Sequence, residues 1–285
     1  MVSSERERNG AAAEPIHPRL HLGTSSFSHE SWVGSFYPPG TKPGDFLTVY
    51  ARRFETVEID ATFYRIPSAA QARSWAAKTP EGFRIAAKVP QVITHEKTLV
   101  DCADETRAFL GAMDELGERL GPLLFQFPYF RRDAFASAQA FLDRLEPYLE
   151  ELPRGRRYAL EIRNKGWIGP PLLSLLKRHG IAFALIDHPW MPPIEEVLQR
   201  HDPVTADFAY VRWLGDRKGI EAKTTSWERL IVDRAADMAR WVPALETLLE
   251  RDIHVYGYFN NHYAGHAPGS IALLRETWRR RHRGR

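Results

Sequence analysis

A single cysteine, Cys102, excludes a chain-internal disulfide framework and a thiolate metal cluster, and it fits a reducing, cytoplasmic setting. Its neighbours Ala103-Asp104-Glu105 are acidic, which does not activate a thiolate, so Cys102 reads as structural. No stretch reaches the roughly 18–20 apolar residues a membrane span requires. The first residues lack the apolar core of a secretory signal, and residues 1–17 read as a disordered leader. The first apolar run ends in Gly23-Thr24-Ser25-Ser26, without the G-x-G-x-x-G spacing of a dinucleotide-binding turn. Charge of one sign is not in excess. The formal net charge is +3, and five arginines sit in Arg279-Arg280-Arg281-His282-Arg283-Gly284-Arg285. The body is therefore close to neutral, and residues 279–285 read as a solvated basic tail. A nucleic-acid partner is an alternative that this balance does not favour, and a membrane partner is not expected.

What is present is a rhythm of short apolar runs. They cover Leu20–Ser25, Thr56–Asp60, Phe83–Lys88, Pro122–Phe127, Tyr158–Arg163, Ile181–Asp187, Ala209–Trp213 and Ile253–Phe259. Helical stripes separate them, over 103–117, 135–152, 172–178, 194–201, 227–250 and 271–278. Ser68-Ala69-Ala70-Gln71 is a capping box, and Gly180 a helix stop. Strict strand–helix alternation implies parallel strands with right-handed crossovers. Eight units in about 250 residues predict a single (β/α)8 TIM-type barrel over residues 18–278, with an open doubly wound sheet as the alternative.

Side chains alternate faces along a strand, so inward positions can be read by parity. Leu160 and Ile162 point outward, which sends Glu161 and Arg163 inward. Val57 and Ile59 send Glu58 and Asp60 inward, and Ile85 and Ala87 do the same for Arg84 and Lys88. The rule also nominates Gln126, Asp187, Arg212, Tyr256, Tyr258 and Asn260. Barrel interiors are ordinarily aliphatic, and a buried charge costs several kcal/mol unless paired. Four acids and four bases at strand ends therefore suggest a site, against the alternative of a salt-bridge network that only sets register.

These stretches resemble the YecE-like family, domain of unknown function family 72, over about Leu20 to Leu274. The resemblance rests on Gly23-Thr24-Ser25 with Trp32 and Phe36-Tyr37-Pro38, on Thr56-Val57-Glu58-Ile59-Asp60-Ala61-Thr62-Phe63-Tyr64, and on Ala87-Lys88-Val89-Pro90. Leu124-Phe125-Gln126-Phe127-Pro128, Glu161-Ile162-Arg163 with Trp167, and Phe259-Asn260-Asn261-His262 complete it. It implies a TIM-type barrel and supplies no reaction. Two positions depart from the family pattern: Leu214 and Asn164 stand where the family has histidine. Any acid–base role there would shift to His95 or His262.

The expected function is acid–base chemistry on a small anionic or polyhydroxylated substrate. Glu58 and Glu161 form a carboxylate pair, one ionised and one protonated, as in glycoside hydrolysis. Lys88 is a cation, base or Schiff-base nucleophile, its pKa depressed by Arg84. Arg163 and Arg212 clamp an anion, while Gln126, Asp187, Asn260, Asn261, Tyr64 and Trp32 contact substrate. The aromatic loop 26–44 is either a pocket wall or a plug. No cofactor is predicted. A variant using Mg²⁺ or Mn²⁺ would draw on Glu58, Glu161, Asp187 and His188. A non-catalytic ligand sensor would use the same pocket.

Overall fold

Each of the eight apolar runs is a strand in the computed structural model of the chain, which describes residues 15–283. The strands are β1 (Leu20–Thr24), β2 (Thr56–Ile59), β3 (Arg84–Lys88) and β4 (Leu120–Gln126). They continue as β5 (Tyr158–Glu161), β6 (Ala182–Asp187), β7 (Phe208–Trp213) and β8 (His254–Phe259). All ladders are parallel, in the order β1-β8-β7-β6-β5-β4-β3-β2, as alternation with helices requires.

The β1–β2 seam closes the barrel with little ladder. Ser25 and Glu58 form a lone parallel bridge, and the Ser26 N–H donates to the Glu58 carbonyl at 2.7 Å. Below it, the Tyr50 hydroxyl stands in for missing strand pairing. It accepts the Thr24 N–H at 2.8 Å and donates to the Thr56 carbonyl at 3.1 Å. Gly23 is required there, because a Cβ would lie 2.1 Å from the Thr56 oxygen. The seam thus replaces an orphaned pair of buried backbone groups with one phenol.

Helices cover the outside. α1 (Phe46–Tyr50) carries the seam tyrosine, and α2 (Ala69–Ala77) starts at Ser68, whose Oγ accepts the Gln71 N–H. Next come α3 (Ala103–Asp114), α4 (Ala138–Glu151) and α5 (Pro170–His179), which stops at Gly180 with φ 64°. The remainder are α6 (Ile194–Arg200), α7 (Arg217–Glu221), α8 (Ala235–Leu249), α9 (Asn261–Ala264) and α10 (Ala267–Arg283). Among the described residues no helix is long and apolar enough to cross a membrane. Residues 1–14 of the expected leader lie outside the described residues. The expected solvated tail is, as far as Arg283, the end of α10, where Arg281 meets Glu246 of α8 at 3.0 Å.

Two hydrophobic layers result. One lies between strands and helices, and the other fills the barrel with Ala86, Leu124, Ala159, Ala182, Ala184, Phe208, Tyr210, Tyr256 and Tyr258. Alanines on β3, β5 and β6 leave the volume that the β7 and β8 aromatics occupy, small facing large. The tyrosine layer closes the middle of the barrel, so the charged side chains stack above it at the C-terminal ends.

Candidate active site

Above the tyrosines, β2, β5 and β7 each contribute one charged inward side chain, and all three meet. Arg212 Nη2 lies 2.8 Å from Glu58 Oε1, and its Nη1 lies 2.7 Å from Glu161 Oε2. Both carboxylates are fully buried. Tyr210, two residues before Arg212 on the same inward face, donates to Glu58 Oε2 at 2.6 Å. On the other side of Glu161, Arg163 Nε and Nη2 approach Oε1 at 2.7 and 2.6 Å. Burial alone would raise the Glu161 carboxyl, but Arg163 and Arg212 hold it at about 2.

Lys88 completes the constellation from β3. Its Nζ sits 3.7 Å from the Phe63 ring centre and 3.5 Å from Asp60 Oδ1. Burial pushes its ammonium below the usual lysine range; Asp60 opposes this, and the Arg212 charge adds to it. The site therefore gathers three cations and three carboxylates, mutually neutralised yet unequal in access. Glu58, Glu161 and Arg212 are sealed, whereas Arg163 and Asp60 keep part of their side chains open.

Two imidazoles border this mouth. His95, on the turn after β3, packs edge-on to Phe63 at 4.9 Å and shares a 2.8 Å hydrogen bond with Thr94 Oγ1. Burial and the Lys88 charge bring it down to about 4. His188 follows β6, and burial with the Arg163 charge brings it to about 4 as well. Both are neutral at pH 7, so each has one donor and one acceptor nitrogen.

Several residues singled out from sequence lie elsewhere. Asp187 faces outward, because Ala182, Ala184 and Ile186 take the inward phase of β6. Its Oδ2 accepts from Trp241 Nε1 at 2.7 Å and from the Tyr263 hydroxyl at 3.2 Å. It lines a groove of about 290 Å³ beside α8, with Glu195, Arg234, Asp237 and Arg240. The four-residue Mg²⁺ or Mn²⁺ set of Glu58, Glu161, Asp187 and His188 is consequently not assembled. Among the described residues no group of three or more His, Cys, Asp or Glu gathers to hold a metal. Arg84 points inward at the opposite end of β3 from Lys88, so Arg212, not Arg84, is the like charge that Lys88 feels.

Trp32 is fully buried among His29, Phe36, Tyr37 and His266, and the aromatic loop is a packed cluster against α1. Asn261 is also buried, accepting the Ala267 N–H at 2.9 Å and tying α9 to α10. Asn260 caps α9, its Oδ1 accepting the His262 N–H and meeting His262 Nδ1 at 2.6 Å. Gln126 ends β4 beside Glu161 and donates to the Phe127 carbonyl at 2.6 Å. Tyr64 is 69% exposed on the loop after β2. Asn164 clamps the β4–α4 loop, with Nδ2 to the Phe130 carbonyl at 2.8 Å and Oδ1 to its N–H at 2.9 Å. That fork is structural.

Three features escaped the sequence reading. Tyr210 was legible by parity, being two residues from Arg212. Phe63 was not, because it lies in a short 3-10 turn where strand alternation no longer applies. His262 and His266 have the four-residue spacing of many metal sites. They diverge around Gly265, at φ 102°: His262 goes to Asn260 and Glu221, and His266 packs on Trp32.

Comparison with known proteins agrees with this architecture. The chain is 28% identical over 251 residues to UPF0759 protein YunF of Bacillus subtilis, covering 82% of this chain and 86% of that protein. It is 28% identical over 214 residues to UPF0759 protein YecE of Escherichia coli K12, covering 69% and 74%. The crystal structure of a DUF72 family protein from Thermotoga maritima superposes with a TM-score of 0.66 at 26% identity, covering 90% of this chain and 97% of that one. With residues 21–285 matching the family model described as protein of unknown function DUF72, the chain belongs to the DUF72 family.

Proposed function

We propose that the barrel mouth binds a small anionic, polyhydroxylated molecule, such as a sugar acid or sugar phosphate, and transfers a proton on it through Lys88. One observation carries this. A buried lysine with a depressed ammonium stands at a strand's C-terminal end with the neutral His95 on the same Phe63 ring, near the Arg163 fork that the neutral His188 borders. A lysine whose ammonium is lowered by burial gives up its proton more readily than an exposed one, which suits it to proton transfer. Arg163 spends Nε and one face of Nη2 on Glu161, leaving donors of its fork for a ligand's carboxylate or phosphate. The four carboxylate oxygens of Glu58 and Glu161 are buried on Arg212, Arg163 and Tyr210, which leaves neither open to a glycosidic bond as two-carboxylate hydrolysis requires. Glu58 and Glu161 serve instead as fixed negative charge that keeps Arg212 and Lys88 in place.

Thermal-shift titration with sugar acids, sugar phosphates and the matching neutral sugars tests the binding half. Anionic ligands should raise the melting temperature, neutral ones much less, and Arg163→Gln should abolish the difference. Equal shifts with neutral and anionic sugars, or an unchanged response in R163Q, would dismiss the anion clamp.

A second reading draws on the rim. Tyr64, Tyr129 and Trp190 are strongly exposed on the loops after β2, β4 and β6, and Arg65, Arg131 and Arg132 adjoin the tyrosines. Exposed rings interleaved with arginines suit stacking by single-stranded nucleic acid. Salt-sensitive oligonucleotide binding that Tyr64→Ala and Tyr129→Ala both weaken would favour this reading over the small-molecule one.

A further inference from the structure

The opposite end of the barrel holds a second cluster of charged and titratable groups, unconnected with the mouth. Aliphatic side chains ordinarily fill the interior layers of this fold. Here the lowest inward positions are His21 on β1, Arg84 on β3, Phe208 on β7 and His254 on β8. Arg157 comes just before β5, and Tyr256 lies one layer above.

These residues are mutually arranged. His21 Nε2 and His254 Nδ1 are 2.8 Å apart, and their rings stack with centroids 5.1 Å apart. His21 also stacks on Tyr256 at 4.9 Å. Arg157 Nη1 donates to the Tyr256 hydroxyl at 3.0 Å, and its guanidinium lies 5.8 Å from both the Tyr256 and Phe208 ring centres. Among the described residues the Arg84 guanidinium makes one long contact, Nη1 to the Phe83 carbonyl at 3.3 Å.

The charge is one-sided. Among the described residues no carboxylate lies within ion-pair distance of Arg84 or Arg157. Arg19, close by, is already paired with Asp252. Asp207 is an acid whose field reaches His254 and Tyr256. Burial, His254, Arg84 and Arg157 together bring His21 down to about 4, so this end repels further positive charge. Two half-buried guanidinium groups, two imidazoles and a phenol converge with almost no acid between them. Such a set is incomplete as an ion-pair network and complete as a cradle for an oxyanion.

We propose that this floor of the barrel binds a tetrahedral oxyanion, either inorganic phosphate or the phosphate of a small phosphomonoester. Arg84 and Arg157 grip it, and the His21–His254 pair donates to it. The site is independent of the mouth, and its function stands or falls separately from the proton-transfer reading.

The test uses the full chain in thermal-shift titrations with inorganic phosphate and, separately, glycerol phosphate, against chloride at matched ionic strength. At tenfold excess over Kd, linkage predicts a rise of about 2–5 °C. Arg84→Gln and Arg157→Gln should each cut the rise by at least half, and together remove it. Arg163→Gln at the mouth should leave it intact. Without phosphate, R84Q should melt at or above the parent, because it relieves repulsion; a purely structural arginine would lower that temperature. A response to glycerol phosphate alone would identify the phosphomonoester as the ligand, and a response to both would identify the bare phosphate group. No phosphate-specific rise, a rise surviving in the R84Q/R157Q double variant, or a rise lost in R163Q would each overturn the proposal.

Discussion

Replacing Arg212 by leucine is expected to destabilise the barrel by about 3–5 kcal/mol, enough to unfold many natural domains outright. The cause is the pair it leaves behind: Glu58 and Glu161, both fully buried, would face each other without the cation that separates them. Chemical denaturation measures this directly, and a midpoint unchanged from the parent would show that the carboxylates are not held as described. The complementary variant is more informative about purpose. Converting Glu58, Glu161 and Arg212 together to leucine or methionine should restore most of the stability, since buried ion networks are replaceable by packed apolar groups. Such a triple variant should nevertheless lose ligand binding at the mouth. Stability retained with binding lost identifies a network kept for its site; binding retained would reduce it to a scaffold.

Acid should reveal the same network. The folded-state value of Glu161, about 2, lies below its ordinary 4.5. Its stabilisation is therefore present above pH 4.5 and disappears as pH falls toward 2, a loss on the order of 3 kcal/mol. The half-buried His95 and His188 and the buried His266 act earlier. His95, His188 and His266 are near 4 when folded and 6.5 when unfolded, so the unfolded chain takes up protons first between those values. Stability should begin to decline below about pH 6.5 and fall again below 4.5. Denaturation midpoints flat from pH 7 to 3 would contradict both assignments.

Lys88→Met should reduce turnover of any substrate found for the mouth by about 10²–10⁴-fold, the usual contribution of a positioned acid–base group. Methionine keeps the length of the stem against Phe63 and removes the ammonium. Binding of an anionic ligand, anchored by Arg163, should weaken far less than turnover. The pH profile separates a catalytic lysine from a structural one: the parent's rate should depend on a group titrating below the usual lysine range, and that limb should vanish in K88M. Binding without turnover in the parent would instead mark a ligand sensor.

Legibility differed from strand to strand. Glu58, Glu161 and Arg212 are each flanked on both sides by apolar residues, and parity placed all three in the barrel correctly. On β6 it misplaced Asp187, because Ala-Phe-Ala-Leu-Ile is apolar on both faces and both faces are buried. A strand covered on two sides gives alternation nothing to distinguish. Arg84 was assigned the right face but treated as Lys88's neighbour, although the two lie at opposite ends of β3. Trp32 and Asn261 looked like substrate contacts because both lie on loops at the mouth. Packing, not position along the chain, turned Trp32 into an aromatic cluster and Asn261 toward the start of α10.

The chain's own pattern was sufficient for eight parallel strands, the crossover helices, and the inward face of most charged residues. These are local properties, set by backbone periodicity and by which residues can be buried. The partnerships were decided only in three dimensions: Arg212 between Glu58 and Glu161, Lys88 against Phe63 and Asp60, and Tyr50 bridging β1 and β2. Those residues are brought together by closure and stagger of the whole sheet. No short-range rule along the chain carries that distance.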